Sequence, residues 1–306
     1  MNSSHKQHPD SHAAMSIDVE DWFQTENMKG VIERDRWDSC ELRVERNTMR
    51  ILDILDARKT RATFFVLGWV AERCPGLVHQ IASMGHEVAS HGYGHELVYS
   101  LTPKQFRADI TRSKKHLEDL IGKSVLGYRA PCFSITEWAI EILQEEGFTY
   151  DSSAVPTIAH DRYGKLDGIE TRTPIVAIRD GFYEVCVSCI PVGQRGIPWG
   201  GGGYFRFLPY AVWKQGVRAI LRSGRPYVFY IHPWEFDPLQ PRPTGLKATT
   251  NFRQRVNLQR CEARFSALVR DVNWIPICEL LDTRKSAAAP IPALPLVGRR
   301  VEGALP

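Results

Sequence analysis

Two histidines four residues apart and three carboxylates within four residues are the sequence's most reactive groupings: His91-Gly-Tyr-Gly-His95 and Asp18-Val-Glu-Asp21. Gly92 and Gly94 predict a turn at the histidines, not a helix. Two imidazoles on one tight turn can chelate a divalent ion, and a carboxylate from another strand would complete the set. An isolated HxxxH is more often a pair of polar loop histidines; an acidic cluster at a neighbouring strand end reverses that balance. No His-Glu-x-x-His occurs, so zincin chemistry does not fit. In the acidic cluster, one carboxylate can bind metal while another serves as general base toward a metal-bound water. Alternation along an extended chain puts Asp18 and Glu20 on one side. That favours Asp18 as base and Glu20 as ligand, with Asp21 the competing ligand. Arg129, in Tyr-Arg-Ala-Pro-Cys, can pair with Asp18 and hold it ionised, or form a plain structural salt bridge. His232, in His-Pro-Trp-Glu, suits protonation of a leaving group, and Pro233 favours a strand exit over a packed core position.

Other groupings carry less. Cys186-Val-Ser-Cys189 is a lone CxxC, read as two buried strand thiols. Gly200 to Gly203 lacks the Lys-Ser/Thr of a phosphate loop and reads as a flexible lid. Trp199, Tyr204, Phe205 and Trp234 could stack on sugar rings, although aromatic residues as often belong to a core.

The elements that must position these residues alternate between strand and helix. Ala14 to Ile17, Ala62 to Leu67, Glu87 to Ser90, Ser124 to Tyr128, Phe148 to Tyr150 and Tyr227 to Ile231 read as strands. Between them lie helical patterns over Asn47 to Lys59, over Pro75 to Met84 with Gly85 at its end, and from Thr102-Pro103 to Gly122. A further helix runs from a capping box at Ser134-x-x-Glu137 to Gly147. This rhythm implies βαβ units and a mostly parallel sheet, open or closed into a barrel. Asp18, His91, Arg129, Asp151 and His232 each fall at or just past a strand's C-terminal end, where such folds build their sites. Tyr163 to Pro209 breaks the rhythm with Gly, Pro and short β-like pieces, and reads as a long insertion over one face.

The chain has 306 residues, 43% hydrophobic and 24% charged, which is ordinary globular composition and excludes disorder, collagen and coiled coil. The net charge of +4 is dispersed, so nucleic acid is not an expected partner. No apolar run is long enough to span a membrane. Residues 1–13 and the Ala/Pro-rich 285–306 read as disordered ends around a 14–284 catalytic domain. The polar start lacks the apolar core of a secretory leader, and the seven cysteines have no framework spacing. The expectation is a cytoplasmic protein with reduced thiols.

As a set, SIDVEDWF (16–23), SHGYGH (90–95), YRAPCFSI (128–135), YDSS (150–153) and YIHPWEFDP (230–238) resemble the motif series of the polysaccharide deacetylases. These are the NodB-homology superfamily, or carbohydrate esterase family 4. HDRYG (160–164), GGGYFR (201–206) and the PLQPR that follows the last motif resemble the exosortase-associated branch of exopolysaccharide gene clusters. The resemblance covers about residues 14–282. It implies an α/β fold, a distorted (β/α) barrel carrying the long Gly/Pro-rich insertion. It also implies a divalent metal, usually Zn2+, and hydrolysis of N-acetyl groups on amino sugars. By motif, Asp18 is implied as base, His91 and His95 as metal ligands, Arg129 as the arginine orienting the base, and His232 as general acid. A backbone N–H near Cys132 or Phe133 is implied for the oxyanion. Many family members have two adjacent aspartates in the first motif. Here Val19 follows Asp18, so the metal carboxylate shifts to Glu20 or to Asp21. The implied partner is an N-acetylated carbohydrate, met on the cytoplasmic side or at the membrane surface. An alternative on the same fold is hydrolysis of a small cyclic amide or ureide. A non-haem iron site and a non-catalytic sugar-binding protein fit the residues less well.

Overall fold

The computed structural model describes residues 12–157, 163–170, 172–192, 195–287 and 291–294. The strands are β1 (Ala13–Val19), β2 (Thr63–Val66), β3 (Glu87–Ser90), β4 (Gly127–Tyr128), β5 (Tyr150–Asp151), β6 (Ile175–Arg179), β7 (Phe182–Val185), β8 (Cys189–Val192), β9 (Arg195–Pro198), β10 (Tyr227–Ile231) and β11 (Trp274–Ile275). The helices are α1 (Val44–Asp56), α2 (Gly68–Arg73), α3 (Pro75–Ser83), α4 (Pro103–Ile121), α5 (Glu137–Glu145), α6 (Gly202–Phe207), α7 (Tyr210–Arg222), α8 (Ala248–Arg255), α9 (Leu258–Asp271) and α10 (Ile277–Lys285). The main sheet runs β10-β1-β2-β3-β4-β5-β7-β6, with β11 also on β1. Within it every pairing is parallel except β6 with β7, and β8 and β9 form a separate antiparallel pair, so the expected α/β fold with a distorted barrel is what the chain forms, as a half-barrel.

Strand β1 shows why. It is buried along its whole length, as a central parallel strand must be. Ala13, Met15, Ile17 and Val19 face the helices in the main core, while Ala14 packs inside the barrel with Phe65, Ala89, Tyr150 and Val228. The period of two puts Ser16 and Asp18 on that inner side. Register then aligns the strand exits. Ile17 lies opposite Ile231, Asp18 opposite Phe65, Val66 opposite Ser90, and Tyr128 between Ser90 and Asp151. Glu20, His91, Arg129 and His232 leave the sheet at one rim.

Several boundaries differ from the sequence reading. The capping box of α4 is present at Thr102 and Gln105. The one expected at Ser134 is absent: α5 starts after Thr136, and the Ser134 hydroxyl accepts from Val98 N–H and donates to the Pro131 carbonyl. The strand expected over 124–128 shrinks to Gly127–Tyr128. The 163–209 insertion is in part sheet, because β7 extends the barrel parallel to β5 and β6 returns antiparallel. The segment after β7 reaches β10, where Ser188 N–H donates to the Val228 carbonyl (3.2 Å) and Ser188 Oγ accepts from Val228 N–H (2.8 Å). Of the ends expected to be disordered, Ala13 opens β1, and residues 291–294 lie beside β6, where Ala177 N–H donates to Pro292 O and Leu294 N–H to Ala177 O, both at 2.9 Å. Lys285 likewise still belongs to α10, whereas residues 1–11, 288–290 and 295–306, and His160 to Arg162 of HDRYG, lie outside the described residues. Among the described residues no helix is long and apolar enough to cross a membrane.

Candidate active site

The β1 exit supplies two of the three carboxylates. A backbone bond from Glu20 N–H to Asp18 O (3.0 Å) turns the chain so that both side chains enter the rim. The β3 exit supplies both histidines. The 91–95 turn has φ of 74° at Gly92 and 54° at His95, and Asp109 of α4 accepts from Tyr93 N–H (2.8 Å) and Gly94 N–H (3.1 Å) to hold it. Glu20, His91 and His95 come together with one ligand atom each, all within 4.8 Å of one another, and all three residues are buried.

The donor set fits a divalent transition ion. His91 Nδ1–H donates to the Arg129 carbonyl (2.8 Å), leaving Nε2 for a ligand, the usual outer support of a metal-bound imidazole. Burial drives the His91 imidazole down to about 4, so it stays neutral, as a ligand must. Burial alone would raise the Glu20 carboxyl, but His95, His232 and His91 outweigh it and hold it at about 2. Glu20 Oε2 and His95 Nε2 lie 2.6 Å apart without hydrogen-bond geometry, and Oε2 is otherwise unpartnered. Two ligand atoms facing a shared centre would look like this. Trp234 Nε1–H donates to Oε1 (3.1 Å) and fixes the carboxylate's other end.

Beside this group, Arg129 crosses the barrel interior. Its Nη1 donates to Asp18 Oδ1 (2.6 Å) and Ser16 Oγ (2.8 Å), while Nε and Nη2 donate to Ser152 O and Oγ (both 2.9 Å). The guanidinium also lies 4.1 Å from the Phe65 ring centroid. A buried charge pair needs such complete partnering to offset desolvation. His232 approaches from β10, its Nε2 3.9 Å from Asp18 Oδ2 and 3.5 Å from Glu20 Oε1. Burial would lower its imidazole, but Glu20, Glu235 and Asp18 outweigh that and raise it to about 9.

Asp21 is not part of the cluster. Its Oδ1 accepts from Trp22 N–H (2.7 Å), and its Oδ2 from Arg43 N–H (2.6 Å) and Val44 N–H (2.8 Å), capping the start of α1. Glu20 is therefore the carboxylate that faces the histidines. The Gly200–Gly203 lid expectation also fails: Gly200 packs on the β10 backbone, and Gly202 opens helix α6 against the Glu235 carboxylate. Cys186 and Cys189 are buried free thiols, as expected. Cys132 and Phe133 both have left-handed φ (51° and 58°), and the Phe133 N–H is engaged by Ala130 O (2.9 Å). Sequence reasoning missed Glu235, which stands three residues past His232 and accepts from the His232 N–H, a spacing that could have flagged it.

A cleft of about 660 Å3 opens beside His232 and Trp234, rimmed by Tyr163, Tyr204 and Phe252. A smaller one of about 260 Å3 reaches His95 from the other side.

Known proteins bear on this arrangement in two segments. Residues 36–150 match the family model described as polysaccharide deacetylase, and residues 152–282 match one described as a domain of unknown function, DUF3473. A peptidoglycan deacetylase of Helicobacter pylori is 35% identical over 104 residues, covering 34% of this chain and 36% of that protein. A peptidoglycan-N-acetylglucosamine deacetylase of Bacillus cereus is 32% identical over 111 residues, covering 36% and 40%. The chain thus matches about a third to two fifths of the length of these curated relatives. A crystal structure from Mycobacterium smegmatis, provisionally described as a polysaccharide deacetylase, shares the fold with a TM-score of 0.57 at 21% identity, covering 92% and 93% of the two chains. The chain thus shares the fold of that crystal structure, and its residues 36–150 match the polysaccharide deacetylase family model.

Proposed function

We propose that the protein is a metal-dependent hydrolase that removes N-acetyl groups from amino sugars of a polysaccharide or its biosynthetic intermediate, releasing acetate. The observation that carries this is the meeting of the Glu20–His91–His95 group with the Asp18–Arg129 pair and His232 at one barrel rim. The family match of residues 36–150 and the named activities of the two relatives support it.

Glu20, His91 and His95 would hold the divalent ion, with zinc favoured by the mixed imidazole and carboxylate set. The bound ion supplies Lewis acidity toward a water and the amide carbonyl. Asp18 takes the proton of the attacking water, and Arg129 keeps Asp18 aimed. His232 Nε2 hands a proton to the departing sugar amine. The open cleft beside His232 suits a sugar chain better than a small cyclic amide, which calls for a closed pocket. The GGGYFR and PLQPR segments favour the exopolysaccharide branch. Seven cysteines without a framework spacing favour a reducing compartment, hence the cytoplasmic face, and residues 14–284 form the catalytic unit.

Acetate release from a panel of N-acetylated amino-sugar oligomers, with zinc and with chelator, tests the reading. Asp18→Asn is expected to keep the fold and the metal and to lose turnover by about a hundredfold or more. Zinc-independent acetate, or full turnover in that variant, would overturn it.

A further inference from the structure

Behind His232, on the side away from Asp18, lies a buried ion pair that the proposed chemistry does not use. Glu235 Oε1 accepts from the His232 backbone N–H (3.1 Å) and lies 2.8 Å from His232 Nδ1. Glu235 Oε2 accepts from Arg206 Nε at 2.5 Å. Arg206 is fully buried, and its other N–H groups donate to the carbonyls of Arg253, Gln254 and Val256. Any Cβ on Gly202 would collide with the Glu235 carboxylate. Gly202 and Arg206 both belong to the GGGYFR segment, so that segment builds the recess and supplies the counter-charge.

A pair of this kind is a poor way to gain stability, because apolar residues of similar volume commonly do as well or better. Its geometry answers a different need. The His232 ring stacks on Trp234 at 5.2 Å and 24°. That contact fixes the ring plane, but it leaves open a half-turn about Cβ–Cγ that would put a ring carbon in the place of each nitrogen. Glu235 removes that freedom.

We propose that Arg206 and Glu235 are positioning residues for His232: they hold Nδ1–H toward Glu235, so that Nε2 is the nitrogen presented to Asp18, Glu20 and the cleft. The proposal rests on the reading of His232 as proton donor. It assigns the GGGYFR segment, which falls in the region described as a domain of unknown function, a part in the site.

The nitrogen-15 spectrum of the His232 ring tests this without recourse to turnover. In the wild type, Nδ1 is expected to carry a proton. In Glu235→Gln a single amide oxygen must serve both Arg206 Nε and the His232 backbone N–H, so Nδ1–H loses its charged acceptor. Nδ1 should then lose its proton, with kcat falling about 10²- to 10⁴-fold while KM stays within about threefold. The double variant Arg206→Gln/Glu235→Gln removes both charges together and separates this effect from a folding defect. An unprotonated Nδ1 in the wild type overturns the proposal. So does a Glu235→Gln protein that melts lower but keeps its tautomer and kcat. A wild type that releases no acetate yet shows the tautomer change would sink the deacetylase reading and leave the positioning intact.

Discussion

Glu20 and Asp21 are adjacent carboxylates that the fold treats in opposite ways. Three imidazoles hold Glu20 at about 2 against its burial, whereas burial raises Asp21 to about 6 despite its three backbone donors. Glu20→Gln is expected to weaken zinc binding at least about a hundredfold, measured against a competing chelator. Asp21→Asn should leave that affinity within about threefold and cost about 1–2 kcal/mol in urea unfolding, because its amide turns a donor toward the start of α1. Equal losses of zinc in both would return Asp21 to the ligand set. Alternation along the strand favoured Glu20, but the sequence could not show what claims Asp21 Oδ2, since Arg43 N–H and Val44 N–H lie 22 and 23 residues away. His86 makes a separate claim about pH. Burial lowers its imidazole to about 4 from 6.5, and its Nδ1 accepts from Ala62 N–H (3.1 Å). The unfolded chain therefore binds a proton between pH 6.5 and 4 that the folded chain refuses. The stability His86 contributes is complete above pH 6.5 and is lost as pH falls toward 4. Burial raises Asp151 and Glu184, which pull the other way, losing their contribution as pH climbs past the ordinary carboxylate range. Subtracting a His86→Gln series from the wild type cancels them. The difference should shrink by about 1–2 kcal/mol across that window; a flat difference would clear His86.

At the scale of elements, the turn between β3 and α4 sets the metal group, and Asp109 holds the turn through two backbone N–H groups. Asp109→Ala removes that support without touching a ligand. We expect zinc affinity to fall about 10- to 100-fold with β3 intact, read by calorimetry beside a far-ultraviolet spectrum; unchanged affinity would mean that the two glycines shape the turn unaided. The strands that bear the site were legible because each was a short apolar run ending in a reactive residue, as with Tyr227–Ile231 before His232. Strands β6 and β7 were read only as short β-like pieces of an insertion, because they are five and four residues long and are joined by a tight turn with no helix between them to mark a βαβ unit. Four successive glycines suggested mobility when, for Gly200, Gly201 and Gly202, the cause was close packing, which a sequence cannot distinguish without knowing what stands opposite. Ser134 carried a capping signature, but Val98 N–H and Pro131 O claim its hydroxyl.

At the scale of the molecule, two family matches meet between residues 150 and 152, which invites a division into two domains. The pairing of strands argues against it. β1 is hydrogen-bonded to β10 over Ala13–Ile17 and to β11 at Ala13 and Ala14, so on the side away from β2 its partners come from the second segment. Arg129, which orients Asp18, takes two of its four acceptors from Ser152. His91 and His95 fall within the first match and Glu20 precedes it, so the whole Glu20–His91–His95 group nonetheless lies before residue 151. A free-standing 12–151 fragment would expose the edge of β1 where β10 sits and leave Met15 and Ile17 without the core contributed by Phe229, Ile231 and Phe265. Burying each such side chain is worth about 1.5–3 kcal/mol, a large share of any domain's net stability. The fragment is therefore expected to lack a near-ultraviolet spectrum and a cooperative melt, and to bind zinc only weakly; adding residues 152–287 in trans should restore all three. A fragment that melts cooperatively and binds zinc as the full chain does would show that the first segment closes its own core, and that β10 brings only His232 to a site already formed.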